Sequence, residues 1–369
     1  MKIAIIGGHL SPAFSVIQEF KEEEVLLIGR KYAIEGDSAL SLEFQFAKEY
    51  KVPFKEITAG RLQRKFTVHT ISSIFKFPFG FFQAISILRS FKPNVVVGFG
   101  GYVELPVIFA AKIFGIPVVI HEQTFQAGFA NRIASFFADK ILISWESSRE
   151  YFPQGKTVLT GNPVRKEILD ALVKVKVNSE NKHTNPVIYI TGGSLGSHKI
   201  NLLVQGCLEE LLGIATVIHQ TGDSKVFADF DKLDSVKQKL SKSFKEKYTL
   251  GKFFSTKEVV SIYKKADLVI CRSGVNTVTE LFYLQKPALL IPLSFAQKNE
   301  QYKNAEFLKK MGLAEIGSEN LNPKDFLNLI NLMIKNLKNY QIKDSVVEEK
   351  IIQKAAGKIA KIIWENAKV

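Results

Sequence analysis

The residues of this chain best equipped for chemistry follow short apolar runs and sit in or beside glycine-rich turns. Lys2–Ile6 empties into Gly7-Gly8-His9, and Val95-Val96-Val97 into Gly98-Phe99-Gly100-Gly101-Tyr102. Residues 187–190 run into Thr191-Gly192-Gly193-Ser194-Leu195-Gly196-Ser197, and 266–270 into Arg272-Ser273-Gly274. A strand that ends in a turn at a helix start aims backbone N–H groups at a ligand, and the helix dipole favours phosphate there. In open α/β sheets ligands bind at that carboxyl edge.

Each candidate has a chemical and a structural reading. His9 follows the first strand directly and is a candidate general base or a satisfied structural histidine. Glu122 and Thr124 follow the strand expected over 117–121; Glu122 is either a base or the anchor of its loop, and the anchor is preferred. Arg165, in Gly161-Asn162-Pro163-Val164-Arg165, suits bidentate phosphate contact or lies solvated. Ser194 adds a hydroxyl to a backbone cradle for a diphosphate. Glu280 can hold ribose hydroxyls after a helix start capped by Asn276 or Thr277, although an ordinary βαβ unit with a structural glutamate fits too. Gln301, Asn304 and Leu308 open the helix beyond the strand at 288–291. Neither GxGxxG with its acidic partner nor a Walker lysine is present, which argues against a dehydrogenase and an NTPase.

The elements that position these residues repeat one plan twice, strand–glycine turn–helix, before Gly161 and again after Val187. Expected strands cover 2–6, 25–28, 95–97, 117–121, 141–144 and 157–159, then 187–190, 216–220, 250–254, 266–270 and 288–291. Lys225 to Lys247 reads as one charged, solvated helix, and the chain from Leu327 onward as helical, with an Ile351, Ile352, Ala355, Ile359, Ile362 stripe. No acid occurs between Glu56 and Glu104, where the phenylalanines of 71–82 stand among Lys76, Arg89 and Lys92. That stretch is suited to a membrane interface with anionic headgroups, or its rings pack into the core.

A chain of 369 residues favours two domains, and 46% hydrophobic with 23% charged residues is globular. Cys207 and Cys271 are too few for a disulfide framework and fit buried thiols in a reducing compartment. The start MKIAIIGG lacks a signal peptide's features and no apolar run reaches the ~20 residues of a membrane span, so a cytoplasmic location is expected. The net charge of +14 calls for anionic partners; without zinc-finger spacing or RNA-binding aromatics, phosphorylated substrates and acidic lipid fit better than nucleic acid.

The segments VGFGGYVELP, IPVVIHEQ, GNPVR, TGGSLGS, HQTG, ADLVICRSGVNTVTE and EQYKNA, in this order over nearly the whole chain, resemble the bacterial MurG family of N-acetylglucosaminyltransferases. The resemblance implies an α/β GT-B fold, two Rossmann-like domains facing across a cleft. It implies an acceptor- and membrane-facing domain over 1–162, a UDP-sugar domain over 163–345, and a helix over 346–369 that packs back on the first domain. The implied reaction is inverting transfer of GlcNAc from UDP-GlcNAc to the muramoyl C4 hydroxyl of lipid I, giving lipid II for peptidoglycan. The implied setting is the cytoplasmic face of the cell membrane, in cell-wall biogenesis, cell shape and division, beside other cell-wall enzymes. No metal or other cofactor is implied, and no nucleic acid.

Carried over by motif, Arg165 and Ser194 contact the donor diphosphate, Glu280 the ribose and Gln301 the GlcNAc hydroxyls. Val275, Asn276, Thr277, Val278 and Thr279 line the turn, and Phe254 sits where backbone atoms read the uracil. His9, with Gly7 and Gly8, is the candidate base on the other domain. The chain departs from the family pattern in a shortened first glycine loop, in Thr124 for asparagine, Glu300 for glutamine and Gln285 for glycine. Two alternatives stand beside this reading: a GT-B transferase with another lipid-linked acceptor, and a non-catalytic sugar-nucleotide-binding protein.

Overall fold

Successive residues of a strand face opposite sides of its sheet, so a strand buried on both faces reads as an unbroken apolar run. Lys2–Ile6 shows the consequence: Ile3 and Ile5 pack on one side, Ala4 and Ile6 on the other. The computed structural model describes residues 1–32, 40–58, 68–169, 185–193, 196–224, 226–294, 299–342 and 354–368, with backbone alone for Leu42 and 68–76. Chain contacts divide it into two units, Met1–Arg165 with Val347–Val369, and Lys166–Val346.

The first unit holds a parallel sheet of seven strands: β1 Lys2–Ile6, β2 Glu24–Gly29, β3 Phe54–Glu56, β4 Val95–Gly98, β5 Val118–Glu122, β6 Lys140–Ile143 and β7 Thr157–Leu159. They lie in the order β3-β2-β1-β4-β5-β6-β7. One face packs on Ala84 and Leu88 of the helix Val68–Phe91 and on Val107, Ile108 and Ala111 of Glu104–Ile113. The opposite face is covered by Ala13, Phe14 and Val16 of Leu10–Ile17, and by Ala356, Ile359 and Ile363 of Ala355–Asn366. The last helix therefore belongs to the first unit. Ile359 and Ile363 are fully buried, each worth ~1.5–3 kcal/mol, and Lys358 Nζ donates to the Leu159 carbonyl at 2.7 Å.

The second unit holds a parallel sheet of six: β8 Val187–Thr191, β9 Thr216–Gln220, β10 Tyr248–Gly251, β11 Leu268–Cys271, β12 Ala288–Leu290 and β13 Ala314–Ile316. Their order is β10-β9-β8-β11-β12-β13. Ile188, Ile190, Val217, Leu268, Ile270 and Leu289 face a core closed by Ile200 and Val204 of His198–Gln205 and by Phe326, Ile330 and Met333 of Pro323–Lys335. The latter helix starts before Leu327, because Asn322 caps it and Pro323 occupies its first position.

Three further expectations are corrected. The charged stretch after Lys225 forms two helices, Asp229–Lys239 and Lys242–Lys247, because Ser241 accepts the Phe244 N–H and starts a new one. The strand expected over 250–254 is Tyr248–Gly251, since the fully buried Tyr248 aligns with Val217. The helix carrying Glu280 is capped by Gly274, with no side-chain cap, so Asn276 and Thr277 lie inside its first turn. Of the C-terminal stripe, Ile351 and Ile352 lie outside the described residues.

The phenylalanines divide between the core and the surface. Phe77 and Phe81 pack against the core, with Phe77 at 5.9 Å from Phe109 and Phe109 at 4.6 Å from Phe137. Phe79 is 58% and Phe82 66% exposed, as are Ile113 (65%) and Phe136 (73%). Among the described residues no helix is long and apolar enough to cross a membrane.

Candidate active site

In the first sheet the chain leaves β1 to one side, for β2, and returns on the other, for β4. The turns after β1 and β4 therefore part at the topological switch point, where an open α/β sheet binds its ligand. Gly7-Gly8-His9 and Gly100-Gly101 meet there. A Cβ on Gly8 would stand 1.7 Å from the Gly100 carbonyl oxygen, and one on Gly100, whose φ is +83°, would stand 2.9 Å from His9 Cδ2. Glycine is required at both positions. His9 is half-buried, and burial lowers its imidazole pKa below 6.5 while the Glu122 carboxylate pulls it upward. Burial thus favours the neutral ring, the form able to take a proton.

Glu122 has a different role. Its Oε1 accepts the Thr124 N–H at 2.9 Å and the Thr124 hydroxyl at 2.6 Å, while Oε2 accepts the Gly128 N–H at 2.8 Å and Asn131 Nδ2 at 3.0 Å. Four donors on one buried carboxylate make it the anchor of its loop. Thr124 is buried within that loop, its hydroxyl directed to Glu122 and the Gln126 carbonyl. His121 is buried, with Nε2 3.2 Å from Ser144 Oγ, and burial lowers its pKa to about 4.

The second sheet has its switch point between β8 and β11. After β8 the Gly193 N–H donates to Thr191 Oγ1 at 3.0 Å, and Ser197 caps His198–Gln205 by accepting the Ile200 N–H. Ser194 lies outside the described residues. After β11 the helix Val275–Leu284 starts at Gly274. Asn276 and Thr277 are half-buried on its first turn, whereas Val275, Val278 and Thr279 are buried. Thr279 Oγ1 turns back to the Val275 carbonyl at 2.8 Å. Glu280, only 6% exposed, accepts the Tyr263 hydroxyl at 3.4 Å.

Two side chains tie these turns together. Gln220, at the end of β9, donates from Nε2 to the Gly193 carbonyl and accepts the Phe254 N–H on Oε1, both at 3.0 Å. It joins the cradle after β8 to the loop after β10. Ser273 Oγ donates to the Gln301 carbonyl at 2.7 Å, and Asn304 Nδ2 to the Ser273 carbonyl at 2.9 Å, so Glu300–Lys310 is fixed beside the β11 turn. Gln301 Oε1 accepts the Leu293 N–H at 3.0 Å. Gln285 ends the Val275–Leu284 helix at φ +50°, a left-handed position suited to glycine.

The site residues expected from the sequence thus fall into two groups. His9, Gly7, Gly8 and Thr124 lie at or beside the first switch point; Phe254, Val275–Glu280 and Gln301 surround the second. Arg165, half-buried, is the last residue of the first unit before the chain enters the second. The sequence reading missed Gln220, whose HQTG setting marked a strand end without showing its partners. It also missed Glu104, which stands fully buried in the first switch point although a first-turn acid normally signals an exposed helix start.

The model of the glycosyltransferase family 28 N-terminal domain matches residues 6–143, and that of the family 28 C-terminal domain matches 187–359. A Clostridium kluyveri protein, named UDP-N-acetylglucosamine--N-acetylmuramyl-(pentapeptide) pyrophosphoryl-undecaprenol N-acetylglucosamine transferase, is 34% identical over 98% of each chain. A Clostridium botulinum protein of the same name is 35% identical over 87% of this chain and 84% of its own. The crystal structure of Acinetobacter baumannii MurG covers 99% of this chain and 100% of its own at TM-score 0.69 and 24% identity. A Neisseria meningitidis UDP-GlcNAc 2-epimerase, at 15% identity, covers 99% and 100% with TM-score 0.67. Both structures share the fold, two Rossmann-like domains of the GT-B class.

Proposed function

This chain belongs to glycosyltransferase family 28, and on that premise we propose that it transfers GlcNAc from UDP-GlcNAc to the muramoyl C4 hydroxyl of undecaprenyl-pyrophosphoryl-MurNAc-pentapeptide. The product is lipid II. The near-full-length similarity to the clostridial transferase carries this reading, because it spans the turns of both units. The acceptor hydroxyl attacks the anomeric carbon opposite UDP, a C–O bond forms there, and the bond to the β-phosphate oxygen breaks. His9 takes the hydroxyl proton, which its lowered pKa permits near neutral pH.

UDP leaves with added negative charge, so fixed donors serve it better than an acid. The cradle after Thr191 and the start of the Val275–Leu284 helix supply N–H groups, with Arg165 and Ser194 on the diphosphate. Glu280 holds the ribose, the Phe254 carbonyl reads the uracil while its N–H stays on Gln220, and Gln301 takes the sugar hydroxyls. These donors need no metal. The test is transfer of label from UDP-GlcNAc to a soluble lipid I analogue with and without EDTA. Labelled disaccharide in both supports the proposal; UDP release without that disaccharide points to another acceptor, and donor binding without turnover to a binding protein.

The acceptor keeps its lipid in the membrane, and the exposed Phe79, Phe82, Ile113 and Phe136 give the first unit a face for the cytoplasmic leaflet. The net charge of +14 favours anionic headgroups. Peripheral attachment to that leaflet is the arrangement this face supports. Sedimentation with phosphatidylglycerol vesicles checks it: the F79S/F82S double variant should lose most of the bound fraction, and equal binding would remove this face.

A further inference from the structure

We propose that Glu104 is a positioning residue for the acceptor side of the reaction, its buried carboxyl holding the Gly100-Gly101 turn against Gly8 and His9. The inference rests on the reading that the His9 turn handles the acceptor hydroxyl.

Glu104 opens the helix Glu104–Ile113 and is fully buried. Its Oε2 accepts the Gly100 N–H at 2.8 Å in a buried bond, while Oε1 is buried with no hydrogen-bond partner. Space for the carboxyl exists because β4 ends in Gly98, where a Cβ would stand 2.5 Å from Oε2. The Glu104 backbone N–H also donates to the Gly101 carbonyl at 3.2 Å, so one residue grips the turn at two points.

What the turn touches gives the grip its consequence. The Gly100 carbonyl lies where a Cβ of Gly8 would be, His9 Cδ2 fills the space beside Gly100, and a Cβ on Gly101 would lie 3.1 Å from Gly8 Cα. Close-packed contacts leave no slack, so displacement of the turn is passed to Gly8 and the imidazole.

Two ordinary explanations of Glu104 fail. A first-turn acid that stabilises its helix through the dipole does so from a solvated position, at a few tenths of a kcal/mol to about one. A buried carboxyl with an unpartnered oxygen costs more than that to desolvate. Nor is Glu104 capping its own helix, because its side chain bonds Gly100, outside the helix. The retained carboxyl is explained by the turn it fixes. Burial and the Glu122 carboxylate raise its pKa, so glutamine, which keeps an acceptor oxygen in the same shape, is the closest substitute.

The test compares E104A and E104Q with the wild-type chain in two assays. In hydrogen exchange read by mass spectrometry, E104A should speed exchange in peptides spanning 98–103 and also 6–10, and E104Q should restore both. Faster exchange at 98–103 alone would overturn the coupling, whatever the substrate. In steady-state transfer to the lipid I analogue, E104A should lower kcat/KM for the acceptor on the order of 10- to 100-fold. The Kd for UDP-GlcNAc should stay unchanged, and E104Q should recover most of the loss. Equal losses toward donor and acceptor, or E104Q as impaired as E104A, would overturn the assignment. A wild-type chain inert toward the analogue would instead count against the acceptor reading, leaving the exchange assay to judge Glu104.

Discussion

The two switch points share a topology and differ in what fills them. Around the first, His9, His121, Glu104 and Glu122 crowd together, and burial favours the neutral form of His9, His121 and Glu104. Around the second, the connecting side chains are the amides Gln220, Gln301 and Asn304, the hydroxyl of Ser273, and Arg272, ion-paired to Glu319 at 2.6 Å. A cluster of groups with displaced pKa values suits proton transfer. A frame of amides and helix starts suits an anion, since its donors keep the same charge at any pH. The proposed reaction thus assigns the first to moving a proton and the second to holding charge.

The largest expected effect breaks this contrast at its first member. His9→Ala should lower kcat on the order of 10²- to 10⁴-fold while leaving the Kd for UDP-GlcNAc unchanged. Because burial depresses the His9 pKa, the wild-type rate should fall only on the acid side of 6.5. A kcat equal to the wild type's, or an acid limb centred above 6.5, would remove His9 as base and with it the distinction between the two sites.

Glu280→Ala probes the second member and should be smaller. Loss of a charged hydrogen bond to the ribose costs ~1.5–3 kcal/mol, about 10- to 150-fold in donor affinity. Tyr263 also loses the carboxylate that accepts its hydroxyl. Calorimetry with UDP-GlcNAc and with UDP should show the same loss, since the ribose belongs to both. Unchanged affinity for UDP would take Glu280 out of the site.

The strands and glycine turns were legible because burial on both faces leaves a continuous apolar run and close backbone approach leaves glycine. β3 and β13 were not: Phe-Lys-Glu and Ala-Glu-Ile are three-residue edge strands with too few apolar positions to show a pattern. The break at Leu240-Ser241 was hidden by the charge on either side, although Ser241 three residues before Phe244 carries a capping signal. Motif placement located His9 and Glu280 by strand and helix. The partners of Gln220 and Glu104 were out of reach, because bonds to Gly193, Phe254 and Gly100 depend on which strands become neighbours.

A last prediction sharpens the contrast through stability alone. Burial raises the Glu104 pKa from 4.5 to about 8, so between those values the folded chain holds a proton that the unfolded chain has released. Its contribution to stability is therefore fully present below 4.5 and is lost as pH rises through about 8. His121, lowered from 6.5 to about 4, acts in the opposite sense: its contribution is present above 6.5 and is lost as pH falls toward 4. Glu104→Gln removes the first dependence and keeps the second. Urea unfolding of both chains should show E104Q gaining on the wild type between pH 5 and pH 8, by on the order of a few kcal/mol. The acid-side loss should be the same in each. A difference that stays constant with pH would mean that Glu104 is ionised in the folded chain, and the first switch point would then hold fixed charge as the second does.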